Sequence, residues 1–198
     1  MQNRVSLREQ RRIETVGALH AAAVELVAES DPGTVTVEAI AERAGTSKRT
    51  FFNHFTAKED AILGLRDPVV HDDDVAAFRG EGSGDLLTRT VRLMGGVVRS
   101  AAVPGSSFER RRRLLARYPD LARRMVFYVA VSEDLAAEVL LGSATSPALQ
   151  DESARALLGV AGAINRFAVV RATSGQFPNE AELDAATAVF STVLKNNR

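Results

Sequence analysis

Residues 36–58 read TVEAIAERAGTSKRTFFNHFTAK, and this segment has the clearest structural pattern in the chain. Thr36 is typical of a helix N-cap, and apolar residues follow it at the spacing of one helix face: Val37, Ile40, Ala41 and Ala44. Gly45 favours the left-handed conformation that ends a helix. Ser47 can then cap another helix, in which Phe51 and Phe55 lie one turn apart. The segment therefore predicts two short helices joined by a tight turn.

The second of these helices has one apolar side and one polar side. Phe51 and Phe55 are suited to pack it against a core, whereas the other side carries polar or basic residues: Ser47, Lys48, Arg49, Thr50 and Asn53. A positioning helix, a glycine-containing turn and a second helix with an exposed polar side form a helix-turn-helix, whose second helix enters the major groove of DNA. The pattern therefore indicates a DNA-reading element.

The distribution of charge fits this interpretation better than the total does. The chain has 25 basic and 25 acidic residues, but residues 43–58 contain four bases and no acid, a local charge of +4. Residues 4–12 contain four arginines and one glutamate, a local charge of +3. Two basic patches near one terminus fit an acidic partner that is met only there. Either patch alone would read as ordinary solvated surface charge.

Composition favours an all-α protein and excludes several classes. Hydrophobic residues make up 45% of the chain and aromatic residues only 6%, with helical apolar spacing almost throughout. The absence of cysteine excludes disulfides, thiolate zinc sites and cysteine nucleophiles. No run of about 18 apolar residues occurs, and the first residues, MQNRVSLREQRR, are charged, so we expect neither a membrane span nor a signal peptide. The expected location is the cytoplasm.

Other segments predict further helices. A capping box at Ser6–Glu9 starts a helix over residues 7–29, and a second box at Thr56–Glu59 starts a fourth helix that runs through Leu65. Residues 67–84 predict a flexible connector with a short helix around Val75–Phe78; its Gly80-x-Gly82-x-Gly84 pattern follows no strand and so is not a phosphate loop. The remaining helices are predicted over Asp85–Ala102, Ser107–Tyr118, Pro119–Leu141, Pro147–Ser174 and Asn179–Asn196.

The complete motif resembles the TetR family of transcriptional regulators. It reads Thr-Val-x-x-Ile-Ala-x-x-Ala-Gly-x-Ser-x-x-Thr-Phe-aromatic-x-His-Phe-x-x-Lys-Glu, within a match that covers about residues 8–66. The resemblance implies an all-α fold of about nine helices. Residues 1–66 would form a three-helix helix-turn-helix domain with helix four as connector, and residues 67–198 a helical effector-binding and dimerisation domain. It also implies a repressor that binds a near-palindromic operator as a homodimer and is released by a small molecule.

The resemblance further implies roles for individual residues. Ser47, Lys48, Arg49 and Asn53 would approach bases or nearby phosphates, with Thr46 and Thr50 beside them. The DNA backbone would be contacted by Thr36, Phe52, His54 and Lys58. Phe52 occupies a position where such proteins often have tyrosine, so a phenol-to-phosphate hydrogen bond is missing, while contact with a sugar or a thymine methyl is retained. Binding by these residues should weaken steeply with salt.

The resemblance places the dimer interface in the last two long helices. Small residues there allow close approach of two backbones, and larger apolar residues supply contact area. The small residues expected at this interface are Gly159, Ala161, Gly162 and Ala163, and the larger apolar residues are Leu157, Leu158, Ile164, Phe167, Val170, Phe190 and Leu194. Their spacing alone does not exclude burial inside one monomer, and it is the resemblance that favours the dimer interface.

The pocket for a largely apolar small-molecule effector is the second implied feature of the C-terminal region. Its expected wall residues are Leu93, Met94, Val97, Phe108, Met125, Phe127 and Tyr128. The alternative for each of them is an ordinary place in the core. Occupancy of the pocket would move helix four and so change the spacing of the two reading heads.

Two other functions are alternatives to the regulator. A small helical hydrolase or metal-dependent enzyme is disfavoured, because the chain has three histidines and neither a Gly-x-Ser-x-Gly nor a His-Glu-x-x-His motif. We therefore expect no enzymatic activity, no cofactor and no metal. A regulator that activates, or that has no effector, stays an alternative. The run Arg110–Arg113 is expected to be a solvated helix surface with salt bridges rather than a phosphate contact.

Overall fold

The computed structural model describes residues 7–80, 84–142, 151–172 and 177–196. Within these residues the chain is built from helices, without a β-strand. The ten helices are α1 (Leu7–Glu29), α2 (Val37–Arg43), α3 (Lys48–Phe52), α4 (Lys58–Leu63), α5 (Asp72–Arg79), α6 (Leu86–Ser100), α7 (Phe108–Arg117), α8 (Pro119–Gly142), α9 (Asp151–Arg171) and α10 (Glu180–Asn196). The all-α prediction is confirmed. About nine helices are expected, and the described residues contain ten.

Most predicted helices are found close to their predicted bounds. α1 covers residues 7–29 as expected, and the short helix expected around residues 75–78 is the longer α5. Thr36 and Ser47 cap α2 and α3 as predicted: their hydroxyls accept hydrogen bonds from Ala39 N–H at 3.1 Å and Thr50 N–H at 3.0 Å. The Ser6 cap and the ends predicted at Pro147 and Ser174 lie outside the described residues.

α4 differs from its prediction at both ends. It begins at Lys58, and its cap is not a Thr56–Glu59 box, because the Asp60 carboxylate accepts the hydrogen bond from Ala57 N–H at 2.9 Å. It ends at Leu63, since Gly64 turns the chain with a left-handed φ of 64°. Leu65 then forms an isolated antiparallel bridge with Ala102 instead of continuing the helix.

The chain divides into two compact units. The N-terminal unit contains the described residues within 1–67 and 102–125, and the C-terminal unit contains those within 68–101 and 126–198. The predicted boundary between residues 66 and 67 lies beside the first of these divisions. The inclusion of α7 and the start of α8 in the N-terminal unit is a tertiary feature that no local sequence pattern indicates.

In the N-terminal unit, α4 is attached at both ends to residues 102–125. Asp60, which is fully buried, accepts two hydrogen bonds from the Arg124 guanidinium, at 2.6 and 2.8 Å. At the other end, Arg111 donates to the carbonyl oxygens of Leu63 at 2.7 Å and Gly64 at 3.3 Å. Val103 N–H also donates to Gly64 O, at 2.9 Å. The carbonyls left open at the end of a helix are thus satisfied by a separate segment of the chain.

The position of Arg111 corrects the prediction for the arginine run. Arg111 is only 2% exposed, and burial lowers the pKa of its guanidinium to about 10, so it remains charged at neutral pH. Arg110, Arg112 and Arg113 are exposed, and Arg113 pairs with Glu109 at 2.7 Å. The expected solvated surface holds for three of the four arginines. It is wrong for Arg111, because successive residues point in different directions around a helix and the Arg111 position of α7 faces the interior.

The end of α4 is tightly packed around Gly64. A Cβ at Gly64 would lie 2.7 Å from Cε1 of His20, whereas a Cβ at Gly45, which has nearly the same φ of 66°, would meet nothing within 4 Å. Gly45→Ala should therefore cost only the left-handed backbone strain, about 1–2 kcal/mol. Gly64→Ala should lower the free energy of unfolding by at least about 1 kcal/mol more, because overpacking adds to the strain. Urea denaturation of both variants measures the difference, and equal losses would contradict it.

His20 predicts a pH dependence for the same region. Its Nδ1 lies 2.7 Å from Ala61 O and so donates to it, and burial, with the nearby charges of Arg110 and Arg111, lowers the pKa of His20. The unfolded chain, with an ordinary histidine pKa, therefore binds a proton that the folded chain resists. The free energy of unfolding should therefore not depend on His20 above about pH 6.5. Below that pH it should fall as the pH is lowered, by at most about 1.4 kcal/mol per pH unit for this group.

The measurement for His20 is the free energy of unfolding between pH 7.5 and pH 5. His20→Gln should reduce the loss of stability on acidification, because an amide does not titrate. His71→Gln is the matched control, since His71 is exposed. A wild-type pH slope that His20→Gln leaves unchanged would contradict the assignment.

The C-terminal unit has its own apolar core. The core is formed mainly by α6, α9 and α10, with contributions from α5 and α8, and its most buried members include Val91, Ala136, Ala161, Ile164 and Leu183. Asn165 donates to Val91 O at 3.1 Å, and Arg92 binds Asp184 through two hydrogen bonds of 2.8 and 2.6 Å. Within the described residues, the helix over residues 152–171 is long and apolar enough to cross a membrane by length and composition. Its contribution to this core gives that composition a different explanation.

Candidate DNA-binding site

The turn between α2 and α3 is fixed by short-range hydrogen bonds. Gly45 N–H donates to Glu42 O at 3.0 Å, and Thr46 N–H donates to Ala41 O at 2.9 Å. Both bonds return the chain to the end of α2, and the positive φ of Gly45 makes this geometry possible. Ser47 then starts α3 immediately. The tight turn predicted from the sequence is therefore confirmed.

Buried side chains fix the orientation of α3. Phe51 is 0% exposed and Phe55 2% exposed, with 5.6 Å between the centres of their rings, and Ile40 of α2 is also fully buried. Because Phe51 and Phe55 are buried on one side, the opposite side of α3 faces solvent. This is the arrangement that a DNA-reading helix needs.

The residues predicted to contact DNA lie on the exposed surface or beside it. Thr36, Ser47, Lys48, Arg49, Phe52 and Asn53 are exposed, and Thr46, Thr50, His54 and Lys58 are partly buried. Phe52 is 51% exposed, and its ring meets that of Phe51 edge to face at 5.4 Å. Phe52 is thus held by the core but not enclosed by it, which leaves its outer surface for a sugar or a methyl group.

Two of the four bases within residues 43–58 are held by acidic partners. Arg43 binds Glu29 at 2.9 Å and Glu25 at 3.4 Å, which joins α2 to α1. Lys48 lies 2.6 Å from Glu38, and this hydrogen bond, with the lysine charge, lowers the pKa of the Glu38 carboxyl. Arg49 has no ion-pair partner among the described residues. Because Arg43 and Lys48 are paired in the free protein, the local charge of +4 overstates the charge that can meet DNA without first breaking an ion pair. Exposed pairs of this kind contribute about 0–1 kcal/mol to stability.

Lys58 has a different environment from the one predicted. Its ammonium group donates to three carbonyl oxygens of the loop after α1: Pro32 at 3.1 Å, Gly33 at 3.0 Å and Val35 at 2.7 Å. Three bonds use all the donors of an ammonium group. A phosphate contact would have to break them, so the structure speaks against the predicted backbone role of Lys58.

His54 lies near two arginines that the sequence pattern did not connect with it. Its burial, and then the charges of Arg12 and Arg66, lower the pKa of His54. His54 is therefore neutral at neutral pH, and any phosphate contact would be a hydrogen bond from its ring N–H rather than an ion pair. Arg12 itself binds Glu9 at 2.6 Å. Only folding brings α1 and Arg66 beside the end of α3.

The seven predicted pocket residues do not lie together in one unit. Leu93, Met94, Val97 and Tyr128 are buried in the C-terminal unit, and Phe127 of the same unit is 47% exposed. Phe108 and Met125 belong to the N-terminal unit and are partly buried. A cleft of about 50 Å³ in the C-terminal unit includes one of the seven, Leu93; its other lining residues are Asp74, Ala77, Phe78, Arg89, Arg92 and Glu180. The pocket itself stays a prediction.

The predicted dimer residues separate into core and surface. Ala161 and Ile164 are 0% exposed and belong to the core of the C-terminal unit, so burial within the monomer is the right interpretation for them. Leu157, Phe167 and Phe190 are partly buried against that core, and the last two rings meet at 5.5 Å. Leu194 is 59% exposed and Val170 69% exposed. Two further exposed residues that the sequence analysis missed are Val189 and Val193.

One comparison with known proteins finds a family match in the N-terminal region. Residues 19–63 match the family model described as bacterial regulatory proteins, tetR family. A search of curated proteins found no match. The matched residues contain α2, the turn, α3 and α4, which are the elements that form and support the exposed reading helix. The N-terminal region therefore carries a DNA-binding domain of the TetR type, and this domain indicates that the chain is a DNA-binding transcriptional regulator.

Proposed function

We propose that this regulator is a repressor that binds a near-palindromic DNA operator as a homodimer and leaves it when a small molecule binds its C-terminal unit. The observation that carries the proposal is the exposed polar side of α3, held in place by the buried Phe51 and Phe55. Ser47 at the start of α3, Arg49 within it and Asn53 at its end are all exposed. Hydroxyl, guanidinium and amide groups can each read base edges in the major groove.

A second copy of the chain is the proposed partner of α9 and α10. Val170 near the end of α9 is 69% exposed, and Val193 and Leu194 near the end of α10 are 53% and 59% exposed, so both helices carry large apolar side chains that the monomer leaves open to solvent. Gly159, at which a Cβ would meet nothing within 4 Å, leaves α9 accessible to a second backbone. A two-fold dimer through these helices would present two reading heads, which explains why the proposed operator is near-palindromic.

The proposed effector is a largely apolar small molecule, and the proposed route of its signal is α4. Support for this route comes from the attachments of α4 to α7 through Arg111 and to α8 through Arg124. A displacement of α7 or of the start of α8 would pull on α4, which follows the reading helix directly. The chain would act in the cytoplasm, without an enzymatic reaction.

Sedimentation and DNA titration together test the proposal. The wild-type protein should sediment as a dimer, and a variant with Val193→Asp and Leu194→Asp should sediment as a monomer that binds duplex DNA much more weakly. Charges at these exposed positions should not unfold the monomer. A wild-type monomer with full DNA affinity would contradict the dimer, and a protein without affinity for duplex DNA would contradict the regulator.

A further inference from the structure

The reading helix begins with an ion pair that holds one of its own predicted DNA contacts. Lys48 Nζ lies 2.6 Å from Glu38 Oε1, and the two side chains are 58% and 61% exposed. Glu38 is the second residue of α2 and Lys48 is the first residue of α3. The pair therefore joins the starts of the two helices at the surface where Ser47 and Arg49 are also exposed.

The fold does not need this ion pair. α2 and α3 are already fixed by the caps at Thr36 and Ser47, by the Thr46-to-Ala41 hydrogen bond and by the burial of Phe51. A carboxylate at this position nevertheless has a direct electrostatic consequence. It neutralises a lysine that would otherwise be available to the DNA backbone.

Binding to DNA of arbitrary sequence depends on cationic side chains that are free to contact phosphates. Each phosphate that a protein neutralises adds about 0.9 to the slope of log affinity against log salt, and this term supplies nearly all of sequence-independent binding. A lysine already held by a carboxylate must exchange that partner for a phosphate, so its net contribution is small. At an operator, base contacts supply additional affinity that does not depend on Lys48 being free.

We propose that Glu38 is a specificity-determining residue that lowers the affinity of the reading head for non-operator DNA by holding Lys48. The inference rests on the proposed DNA-binding function and adds to it a reason for an acidic residue at the start of α2. Glu38 acts through Lys48, and its removal should raise sequence-independent affinity rather than lower it.

The test compares Glu38→Gln with Glu42→Gln on the full-length protein. Glu42 lies one turn further along α2, is exposed and has no ion-pair partner among the described residues. The two variants therefore change the net charge equally. The probe is a fluorescent 30-base-pair duplex of random sequence, titrated by anisotropy across a range of salt concentrations. Thermal unfolding of both variants establishes that they are folded.

Glu38→Gln should bind the random duplex up to about fivefold more tightly than wild type at 0.1 M salt for each reading head engaged, which is the most that an exposed ion pair is worth. Its salt slope should be steeper, by at most about 0.9 per head. Glu42→Gln should change binding much less. The gain from Glu38→Gln should disappear when Lys48 is replaced by Met in both proteins.

Three results would overturn the role of Glu38: equal gains for both variants, a gain that persists without Lys48, or weaker binding by Glu38→Gln. Failure of the proposed function itself looks different. In that case the wild-type protein would not bind the duplex even at low salt, and the role of Glu38 would fall with it.

Discussion

Replacing Lys48 and Arg49 by alanine together is expected to weaken operator binding at least about 100-fold and to abolish sequence preference. A direct base contact by arginine contributes about 1–3 kcal/mol, and a homodimer would lose each contact twice. Both side chains are exposed on the polar side of α3, whereas its buried anchors are untouched. The double variant should therefore keep its free energy of unfolding to within about 0.5 kcal/mol per substitution.

A gel shift checks this result, with the operator that the wild-type protein selects from a pool of random duplexes. A sedimentation measurement is run beside it. The matched control removes two arginines from the same unit, Arg110→Ala and Arg112→Ala, since both side chains are exposed on α7. The control should bind the operator nearly as the wild type does. An unchanged shift for the Lys48 and Arg49 variant, or an equal loss in the control, would exclude α3 as the reading helix.

Replacing Arg124 by Met is expected to lower the free energy of unfolding by about 3 kcal/mol or more. Asp60 is fully buried, and Arg124 supplies two hydrogen bonds to its carboxylate, at 2.6 and 2.8 Å. Without the guanidinium, the carboxylate keeps only the neutral hydrogen bond from Ala57 N–H in the site described. Breaking a buried pair by removing one partner typically costs about 3–5 kcal/mol, because a buried charge remains uncompensated.

Urea denaturation of Arg124→Met measures this loss, with the neighbouring Arg123→Met as its control. Arg123 also pairs with an aspartate, Asp120, but both side chains are more than three-quarters exposed. Its replacement should therefore change stability by less than about 1 kcal/mol. The further change of Asp60 to Asn in the Arg124→Met protein should restore part of the loss, since the buried charge is then removed. Equal stability of the two single variants would show that the Asp60 pair is not what holds α4.

The helix-turn-helix could be predicted because its determinants are local. Thr36 and Ser47 bond to N–H groups three residues away, and Gly45 acts through its own φ. The spacing of Phe51 and Phe55 is likewise readable as a helix face. Such features depend on neighbours along the chain, and the structure confirms them.

The remaining features depend on partners far apart in sequence. Arg124 meets Asp60 across 64 residues, and Lys58 meets the carbonyls of a loop more than 20 residues before it. A capping box at Thr56 fits the local pattern, but a buried aspartate with a distant arginine replaces it. Ala161 and Ile164 fit an interface and a core equally well by spacing, and only tertiary packing distinguishes the two.

Selection of bound fragments from a pool of random duplexes tests the DNA-reading role of α3 most directly. The wild-type protein should enrich one near-palindromic sequence whose two half-sites are separated by a whole number of helical turns, about 10 base pairs each. The protein without Lys48 and Arg49 should enrich none. Failure of the wild-type protein to enrich any sequence, or enrichment of the same sequence by both proteins, would contradict the account.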